Sequence, residues 1–363
     1  MIKKVLITFM LMLAVPAIVS AQSDKLKLII STGIDNFVRD LNDNGKAGYR
    51  LENSLNYGGE GATQSYAAVL RLDAPNKYEY DWMSSPDKRL LEGRLNYQAK
   101  KGFNFANAYA ITSCSDGPAD EPISQTLVLR MQKGDAFLLE RRNEETAQTM
   151  EYKTVIAKVR LGDSAEKDIQ AELDAGAPQG FRPVKILFAR QGLLDFSITV
   201  LAERNLKDNG PKTEYRFLKK TSGLPEKMNE FAAQGFRFIT GRRVGMVGLA
   251  LMDKRASDPT KYTFIDRKKY AKEFDKTVSL GNSYRGVMIG DLSCGSSEAQ
   301  NERLVFEQNP NGKKSEYLIK AIAFTRTGGA DAESLNEFQR LVADNYEIKD
   351  LFYSDGLKII FAR

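Results

Sequence analysis

The two cysteines, Cys114 and Cys294, occupy corresponding places in a repeated sequence pattern. They follow the aromatic residues of their copies, Phe103 and Tyr284, by 11 and 10 residues respectively, so both are expected in equivalent turns. Cysteines of exported proteins commonly pair, and we therefore expect a Cys114–Cys294 disulfide. Two independent thiols, or pairing between molecules, are the alternatives. Neither cysteine has a second thiol close in sequence, which argues against redox catalysis.

The chain has no histidine among its 363 residues. This absence excludes Ser-His-Asp and Cys-His mechanisms, and every zinc site that needs an imidazole ligand. A hydrolase that uses only carboxylates remains an alternative. However, nothing in the sequence places acid pairs such as Glu144–Glu145 as a general acid and a general base. The sequence therefore predicts no catalytic residues, no cofactor and no metal.

Two short stretches imitate ligand-binding loops. Asp40–Gly45 places oxygen-bearing side chains at positions one, three and five before a glycine, as a calcium loop does, but position twelve is Leu51. The glycines of 58–61 are not followed by the Lys-Ser or Lys-Thr of a phosphate loop. We interpret the first stretch as a helix end and the second as a hairpin connection.

The pattern that positions these residues recurs six times. An apolar residue is followed by Asn or Asp, a small residue, Gly and an aromatic, at spacings that place the apolar and small residues on one helix face. The small residue lets that face lie close to a sheet, and Gly or Asn takes the left-handed conformation that ends a helix. The helix-end pairs are Gly48-Tyr49, Gly102-Phe103, Gly180-Phe181, Gly235-Phe236, the degenerate Ser283-Tyr284, and Asn345-Tyr346.

Each helix follows one extended run and precedes two more, so the predicted unit is strand, helix, strand, strand. Helix starts are indicated by Ser85-Pro86, Ser164 and Asp331. Pro178 predicts that the third helix stops near Ala175 and reaches its strand by a turn.

The sequence therefore predicts an α+β protein of six tandem βαββ units, with mostly antiparallel sheets that helices cover on one face. A unit of about 55 residues is marginal alone, so neighbouring units should share sheets or stack helices. Three pairs and two halves of three units are both open. The expected segments are a signal peptide at 1–21 and repeats at 22–75, 76–145, 146–208, 209–258, 259–312 and 313–363.

Residues 1–21 combine Lys3-Lys4, an apolar run and small residues before Gln22, the order of a secretory signal. The run is too short to span a membrane stably, so we expect a soluble periplasmic or secreted bacterial protein. Without Lys3 and Lys4 the chain has 51 basic and 47 acidic residues, a formal charge of +4. This small, dispersed excess and the expected export argue against nucleic acid as a partner.

The stretch Leu41–Leu51, with Glu-Tyr-Lys at 151–153 and Glu-Tyr-Arg at 214–216, resembles a bacterial family of short proteins of unknown function. That family's pattern is E-Y-K-V, a helix, L-N-x-x-G-x-x-G-W-E-L and an apolar strand ending in a basic residue. Tyr or Phe replaces the tryptophan here, and the copy around Tyr284 departs from the pattern. The resemblance implies the βαββ unit and implies no activity.

These observations favour a non-enzymatic binding or scaffolding protein of the cell envelope, whose partner is an unknown protein or envelope polymer. The loops between the second and third strands of each unit are the expected binding surface. A secreted hydrolase or other enzyme without histidine is the alternative. A deep pocket that gathers acids and arginines from several repeats would favour the enzyme, and dissimilar shallow loop surfaces would favour binding.

Overall fold

The computed structural model describes residues 25–57, 63–84, 87–113, 131–143, 148–159, 165–190, 196–207, 213–244, 247–254, 258–266, 269–289, 291–292, 299–300, 303–308, 315–325, 330–353 and 356–363. Several predicted features lie outside these residues. They are the signal segment 1–21, Cys114, Cys294, the glycines of 58–61, Ser85-Pro86 and Ser164. No helix in the described part of the chain is long and apolar enough to cross a membrane.

The described residues form six α-helices, two short 3-10 helices and a series of strands. The helices are α1 Ile34–Lys46, α2 Leu91–Ala99, α3 Ala165–Gly176, α4 Leu224–Ala232, α5 Tyr270–Ser279 and α6 Ala332–Ala343, with 3-10 turns at Lys88–Leu90 and Ala177–Gln179. The strands are β1 Leu26–Thr32, β2 Tyr49–Tyr57, β3 Ser65–Leu72, β4 Tyr78–Ser84, β5 Asn104–Ser113, β6 Met131–Arg142, β7 Met150–Val159, β8 Arg182–Arg190, β9 Phe196–Asn205, β10 Tyr215–Lys220, β11 Phe236–Val244, β12 Val247–Lys254, β13 Tyr262–Asp266, β14 Asn282–Ile289, β15 Asp291–Leu292, β16 Ala299–Gln300, β17 Arg303–Gln308, β18 Tyr317–Ile322, β19 Glu347–Tyr353 and β20 Leu357–Ala362.

The fold is α+β with mostly antiparallel sheets, as the sequence predicts. Along the chain one helix follows each first strand, and the third strand of each set pairs antiparallel between the first and the second, as in the order β1-β3-β2. We number these sets sheet groups 1 to 6 in chain order and call the second strand of each its inner strand. The inner strands are β2, β5, β8, β11, β14 and β19.

The six sheet groups close into a ring. Inner strand β2 contacts β5 on one side and β19, from the last group, on the other. Contacts of β6 with β8, β8 with β11, β11 with β14 and β14 with β19 complete the circuit. The β11–β14 contact is a parallel strand pair that joins groups 4 and 5 in one six-stranded sheet. Radial closure of this kind leaves few exposed sheet edges.

The hydrophobic core consists of six clusters, and each is shared by two consecutive sheet groups. The helix of one group lies between its own sheet and the next sheet, and the cluster around Phe338 joins group 6 to group 1. Strands such as Leu357–Ala362 are therefore buried along their whole length. Helices therefore lie against both faces of a sheet rather than the one face expected, because its own helix covers one face and the helix of the preceding group covers the other. Among the described residues, this continuous succession shows no division into two halves of three.

A side-chain amide on the helix ties several groups to the next. Asn96 Nδ2 donates to the backbone oxygen of Tyr152 at 2.8 Å, and the Tyr152 amide donates to Asn96 Oδ1 at 2.9 Å. Asn42 with Tyr80 and Asn229 with Tyr262 repeat this pair of bonds, and Gln170 bonds Tyr215 and Phe217 in the same manner. The asparagine of the sequence pattern therefore pairs with the edge strand of the neighbouring group.

The calcium-like stretch Asp40–Gly45 is helical and belongs to this interface. Asp40 accepts from Ser31 Oγ at 2.5 Å and lies within α1. A Cβ on Gly45 would lie 2.3 Å from the backbone oxygen of Tyr78, so the small residue allows the close helix–strand approach that the pattern predicts. Asn42 and Gly45 lie in the last turns of α1, which ends at Lys46, so the interpretation of this stretch as a helix end agrees with the structure.

The left-handed residues that end the helices are present. The φ angles of Gly48, Gly102, Gly180, Gly235 and Asn345 are 90°, 85°, 84°, 91° and 64°. In group 5 the expected register was wrong by two residues, because Gly281, not Ser283, has a positive φ of 83°. Asn282 therefore stands in the aromatic position and Tyr284 lies further along β14.

Other helix signals agree with the structure. The Asp331 side chain caps α6 by accepting from the Ser334 amide at 2.7 Å. The helix α3 ends at Gly176, and a 3-10 turn containing Pro178 leads to Gly180, as the proline predicts.

The aromatic residue of the pattern packs beneath a basic residue that ends the third strand. The Arg141, Arg204 and Arg363 guanidinium carbons lie 4.5, 4.8 and 4.7 Å from the ring centres of Phe103, Phe181 and Tyr346, and Lys254 Nζ lies 5.7 Å from that of Phe236. Each cation also pairs with an acid on the first strand of its group or just before that strand, as Arg204 does with Glu151 at 2.5 Å. This stack explains why aromatic and basic residues recur together.

Candidate ligand-binding site

The inner strands surround one cavity of about 500 Å³ at the centre of the ring. Its walls come from all six sheet groups, through β2, β5, β6, β8, β11, β14 and β19. The expected binding surface was the set of loops between second and third strands. The cavity instead lies against the inner strands themselves, because ring closure brings them to a common centre.

Each inner strand has a β-bulge at a corresponding place. The register against the third strand shifts between Leu51 and Asn53, Phe105 and Asn107, Pro183 and Lys185, Phe238 and Thr240, Tyr284 and Gly286, and Ile348 and Asp350. A bulge adds an unpaired residue and redirects the side chains beside it. The residues just after the bulges are Asn53, Asn107, Lys185, Thr240, Gly286 and Asp350, and all six line the cavity. We call them the inner-bulge residues.

Tyrosines of the neighbouring groups hold four of these bulges. The backbone amides of Leu51, Phe105, Phe238 and Tyr284 donate to the hydroxyls of Tyr80, Tyr152, Tyr262 and Tyr317, over 2.7, 2.6, 2.7 and 3.1 Å. These tyrosines stand on the first strands to which the helix amides are bonded or, for Tyr317, on the corresponding strand of group 6. The contacts between groups therefore also fix the backbone that presents the inner-bulge residues.

On one side of the cavity, Asp350 is held by three donors. Asn53 Nδ2 lies 2.9 Å from Asp350 Oδ1, the Tyr284 hydroxyl lies 2.6 Å from Oδ2, and the Leu351 amide donates to Oδ1 at 2.8 Å. Burial raises the pKa of Asp350, and these hydrogen bonds oppose the rise because they favour the carboxylate. The network joins groups 5, 6 and 1.

The second network joins groups 1, 2 and 3 and ends on a lysine. Lys185 Nζ donates to Asn107 Oδ1 at 2.9 Å, and Asn107 Nδ2 donates to the Ser54 backbone and hydroxyl oxygens at 3.0 Å. The Ser54 hydroxyl is also bonded to the Tyr109 hydroxyl at 2.6 Å. These bonds fix the orientation of the Asn107 amide and, through it, the position of the ammonium group.

Lys185 is the cationic inner-bulge residue, and its pKa is shifted by its surroundings. Burial, and then the nearby Arg242, lower its pKa from 10.5 to about 8, while Asp135 and Asp350 oppose the shift. An ammonium has three N–H donors, and within the described part of the chain one of them has a protein partner, Asn107. The remaining donor capacity is available to a bound molecule.

The opposite part of the inner ring is occupied by small side chains. Thr240 and Gly286 are the inner-bulge residues of groups 4 and 5, and both line the cavity. Gly286 has a φ of 154°, and a Cβ there would lie 3.4 Å from the Phe238 ring. At these two positions the side chain is short or absent, whereas longer side chains in the other groups form the polar networks.

The two ends of the cavity differ in chemistry. At the start of the inner strands, Arg50 Nε pairs with Glu140 Oε1 at 2.9 Å, and the Tyr80 hydroxyl donates to Glu140 at 3.0 Å. Burial raises the pKa of Glu140 against the effect of Arg50. At the other end, the Tyr57 and Tyr353 rings stack with centres 5.0 Å apart. The cavity thus has a charged end and an aromatic end.

Of the residues singled out from the sequence, Tyr284 belongs to this site, because its hydroxyl lies 2.6 Å from Asp350 Oδ2, and Cys114 and Cys294 lie outside the described residues. The helix-end glycines and their aromatic partners lie before the bulges and support the ring. The signal that could have located the cavity is the residue four positions after the aromatic, which is Asn53, Asn107, Lys185, Thr240 or Asp350 in five copies. Within the described residues no cluster of His, Cys, Asp or Glu side chains could hold a metal ion.

Comparisons with protein-family models, curated proteins and solved structures found no match to this chain.

Proposed function

We propose that the protein is an exported, non-enzymatic binding protein of the bacterial cell envelope, and that its ligand is a small molecule held in the central cavity. The observation that carries this proposal is a cavity of about 500 Å³ enclosed by inner strands whose bulge residues differ from group to group. Small-molecule sites have volumes of roughly 300–1,000 Å³ and a few fixed polar groups. A polymer or protein partner would extend well beyond such a volume.

We also propose how the ring of six sheet groups arose. Six tandem βαββ repeats, related to the short bacterial proteins that the sequence resembles, would supply six equivalent inner strands. Ring closure would then create a shared site that no single repeat contains. The signal segment supports a periplasmic or secreted location, where a Cys114–Cys294 disulfide could form.

An enzyme without histidine is the second candidate, and one observation favours it. The cavity gathers Lys185, Arg242, Asp135 and Asp350 from different groups, which is the arrangement expected of the alternative. A lysine whose pKa is lowered to about 8 could serve as a base or as an amine nucleophile. Binding has the stronger support because Asp350 is already held by three donors and the geometry defines no acid–base pair.

Native mass spectrometry after incubation with a small-molecule extract of the cell envelope tests the proposed function. The wild-type protein should retain a small molecule that is released on unfolding. Thr240→Phe should prevent retention because the ring fills the open part of the cavity. Ser279→Phe adds the same bulk at the exposed end of α5 and should retain the molecule. No retained molecule, or equal retention by Thr240→Phe, would contradict the proposal.

A further inference from the structure

The six inner-bulge residues around the cavity differ in size and charge, and these differences define where a ligand can lie. Polar side chains connect groups 5, 6 and 1 through Asp350 and groups 1, 2 and 3 through Asn107. In groups 4 and 5 the inner-bulge residues are Thr240 and Gly286, and the succession of long polar side chains around the cavity is interrupted there. Lys185 belongs to group 3, next to group 4, so it lies at the boundary between the polar networks and the short side chains of groups 4 and 5.

The charges at this boundary favour an anion. Lys185 has one hydrogen-bond partner, Asn107, among the described residues, and no ion pair with them. Arg242 and Asp135 line the same cavity, and Arg242 acts on Lys185 as a second positive charge while Asp135 acts as a negative one. The carboxylate of Asp350 is already occupied by Asn53, Tyr284 and the Leu351 amide, so it is a weak competitor for the lysine donors.

The stacked tyrosines at the aromatic end of the cavity determine the chemistry of the other end of the ligand. Asn53 and Tyr57 are four residues apart on β2, and Asp350 and Tyr353 are three apart on β19. At the usual rise of a strand these spacings are roughly 10–13 Å. A ligand that reaches both levels has an acidic group at one end and a ring or sugar at the other, because stacked tyrosines provide a flat apolar surface.

We propose that the central cavity binds a small organic anion, whose carboxylate or phosphate group accepts hydrogen bonds from Lys185 Nζ beside Thr240 and Gly286. This inference rests on the proposed function and assigns its ligand class. A bound anion would restore the charged form of the lysine, since an opposite charge nearby favours ionisation. Binding should therefore be accompanied by proton uptake at pH values above about 8.

Isothermal titration calorimetry with matched pairs of probes tests the inference. The pairs are glucuronate and glucose, glycerol 3-phosphate and glycerol, and benzoate and benzyl alcohol. Each pair keeps the carbon framework and changes the acidic group, and comparison of the first two pairs separates a carboxylate from a phosphate. We expect at least one anion to bind about tenfold or more tightly than its neutral partner.

Lys185→Met and Lys349→Met are the matched variants. Lys349 is exposed, lies beside Asp350 on β19 and pairs with Glu347, so its replacement should leave anion affinity unchanged. Lys185→Met should lose about tenfold or more in affinity and also the proton uptake. Titrations of the wild type in buffers of different ionisation enthalpy measure that uptake without any variant, which keeps the test decisive if Lys185→Met folds poorly.

The outcomes separate the inference from the proposed function. Anion selectivity that disappears in Lys185→Met supports both. Equal binding of neutral partners, or unchanged anion binding by Lys185→Met, overturns the anion assignment, while loss of binding in Thr240→Phe would still support the cavity as the site. No binding of any probe overturns the anion assignment, and a wild type that also retains no molecule from the extract removes the proposed function as well.

Discussion

The contacts between neighbouring sheet groups are alike, whereas the residues at the centre of the ring differ. Asn42, Asn96 and Asn229 make the same two hydrogen bonds to the next group. The inner-bulge positions carry Asn, Asn, Lys, Thr, Gly and Asp in turn. Three of the six groups keep asparagine at the helix position that bonds the next group, whereas the positions that face the common cavity differ more widely. The difference indicates that the interfaces build the ring and the centre provides the chemistry.

Group 5 shows how one repeated contact can be lost without loss of the fold. Asn282 replaces the aromatic residue, and Gln308, which pairs with it across the strands, replaces the basic residue. Both members of the cation–π stack are therefore absent together. The Gly281 turn, the bulge before Gly286 and the core around Phe274 are kept. The helix end and the bulge are thus more important to the ring than the surface stack.

The largest effect is expected at a repeated interface position. Asn96→Ala removes both hydrogen bonds to the buried Tyr152 backbone and should lower the free energy of unfolding by roughly 2–4 kcal/mol. Gln339 occupies the corresponding position in α6 but is exposed, so Gln339→Ala should change it by less than about 0.5 kcal/mol. Urea denaturation measures both variants. Equal losses of unfolding free energy in the two variants would contradict a special interface role for Asn96.

Arg237→Ala should have the next largest effect. Arg237 alternates with the buried Phe236 and Phe238 on β11, but it is not a solvent-facing residue, because its Nε lies 2.7 Å from the buried Glu307 of the next group. We expect a loss of roughly 2–3 kcal/mol, since Glu307 keeps its second partner, Arg285. Arg340→Ala, which breaks exposed ion pairs on α6, is the control and should cost less than about 0.5 kcal/mol. Similar thermal stability of the two variants would contradict the interface role.

Substitutions at the end of α5 test the corrected register of group 5. A Cβ on Gly281 would meet no atom within 4 Å, so Gly281→Ala carries only the cost of its positive φ, about 1 kcal/mol. Ser283→Ala should cost less than about 0.5 kcal/mol, because Ser283 lies in β14. Thermal unfolding of the pair distinguishes the registers. The reverse order of effects would restore Ser283 as the helix-end residue.

The smallest effect on stability is expected at the centre. Because the folded-state pKa of Lys185 is lowered from 10.5 to about 8, the unfolded chain binds more protons between these pH values. The stability of the ligand-free protein should therefore rise with pH across that window. Lys185→Met should abolish this rise and stabilise the protein near pH 7 by about 1 kcal/mol, since it removes a partly buried charge. A destabilised variant, with an unchanged pH profile, would show that Lys185 is not enclosed.

The local parts of the fold could be predicted from the sequence. Gly or Asn after an amphipathic run predicted the helix ends, and Pro178 predicted the turn after α3. The helix-end register of group 5 could not be predicted, because Ser283-Tyr284 resembles the small residue and aromatic residue of the repeated pattern more closely than Gly281-Asn282 does. Alternation along β11 placed Arg237 opposite the buried Phe236 and Phe238, but it could not show that this opposite side faces another group.

The cavity could not be predicted from any local sequence pattern. Its walls depend on contacts between group 6 and group 1, far apart in the chain, and on bulges set by cross-strand register. Lys185 is one of many lysines in the sequence, and its environment arises from Arg242, Asp135, Asp350 and Asn107 on other strands. Position four after the aromatic was a usable signal, but only once ring closure shows that these positions meet.

An NMR titration of the Lys185 side-chain nitrogen, assigned by comparison with Lys185→Met, shows whether a binding site lies at the centre of the ring. An enclosed inner-bulge lysine should titrate near pH 8 in the ligand-free protein. Saturation with an anion that binds should move its pKa upward, whereas the neutral partner of that probe should leave it in place. A pKa near 10.5 that no probe changes would place the lysine in solvent and contradict a binding site at the centre of the ring.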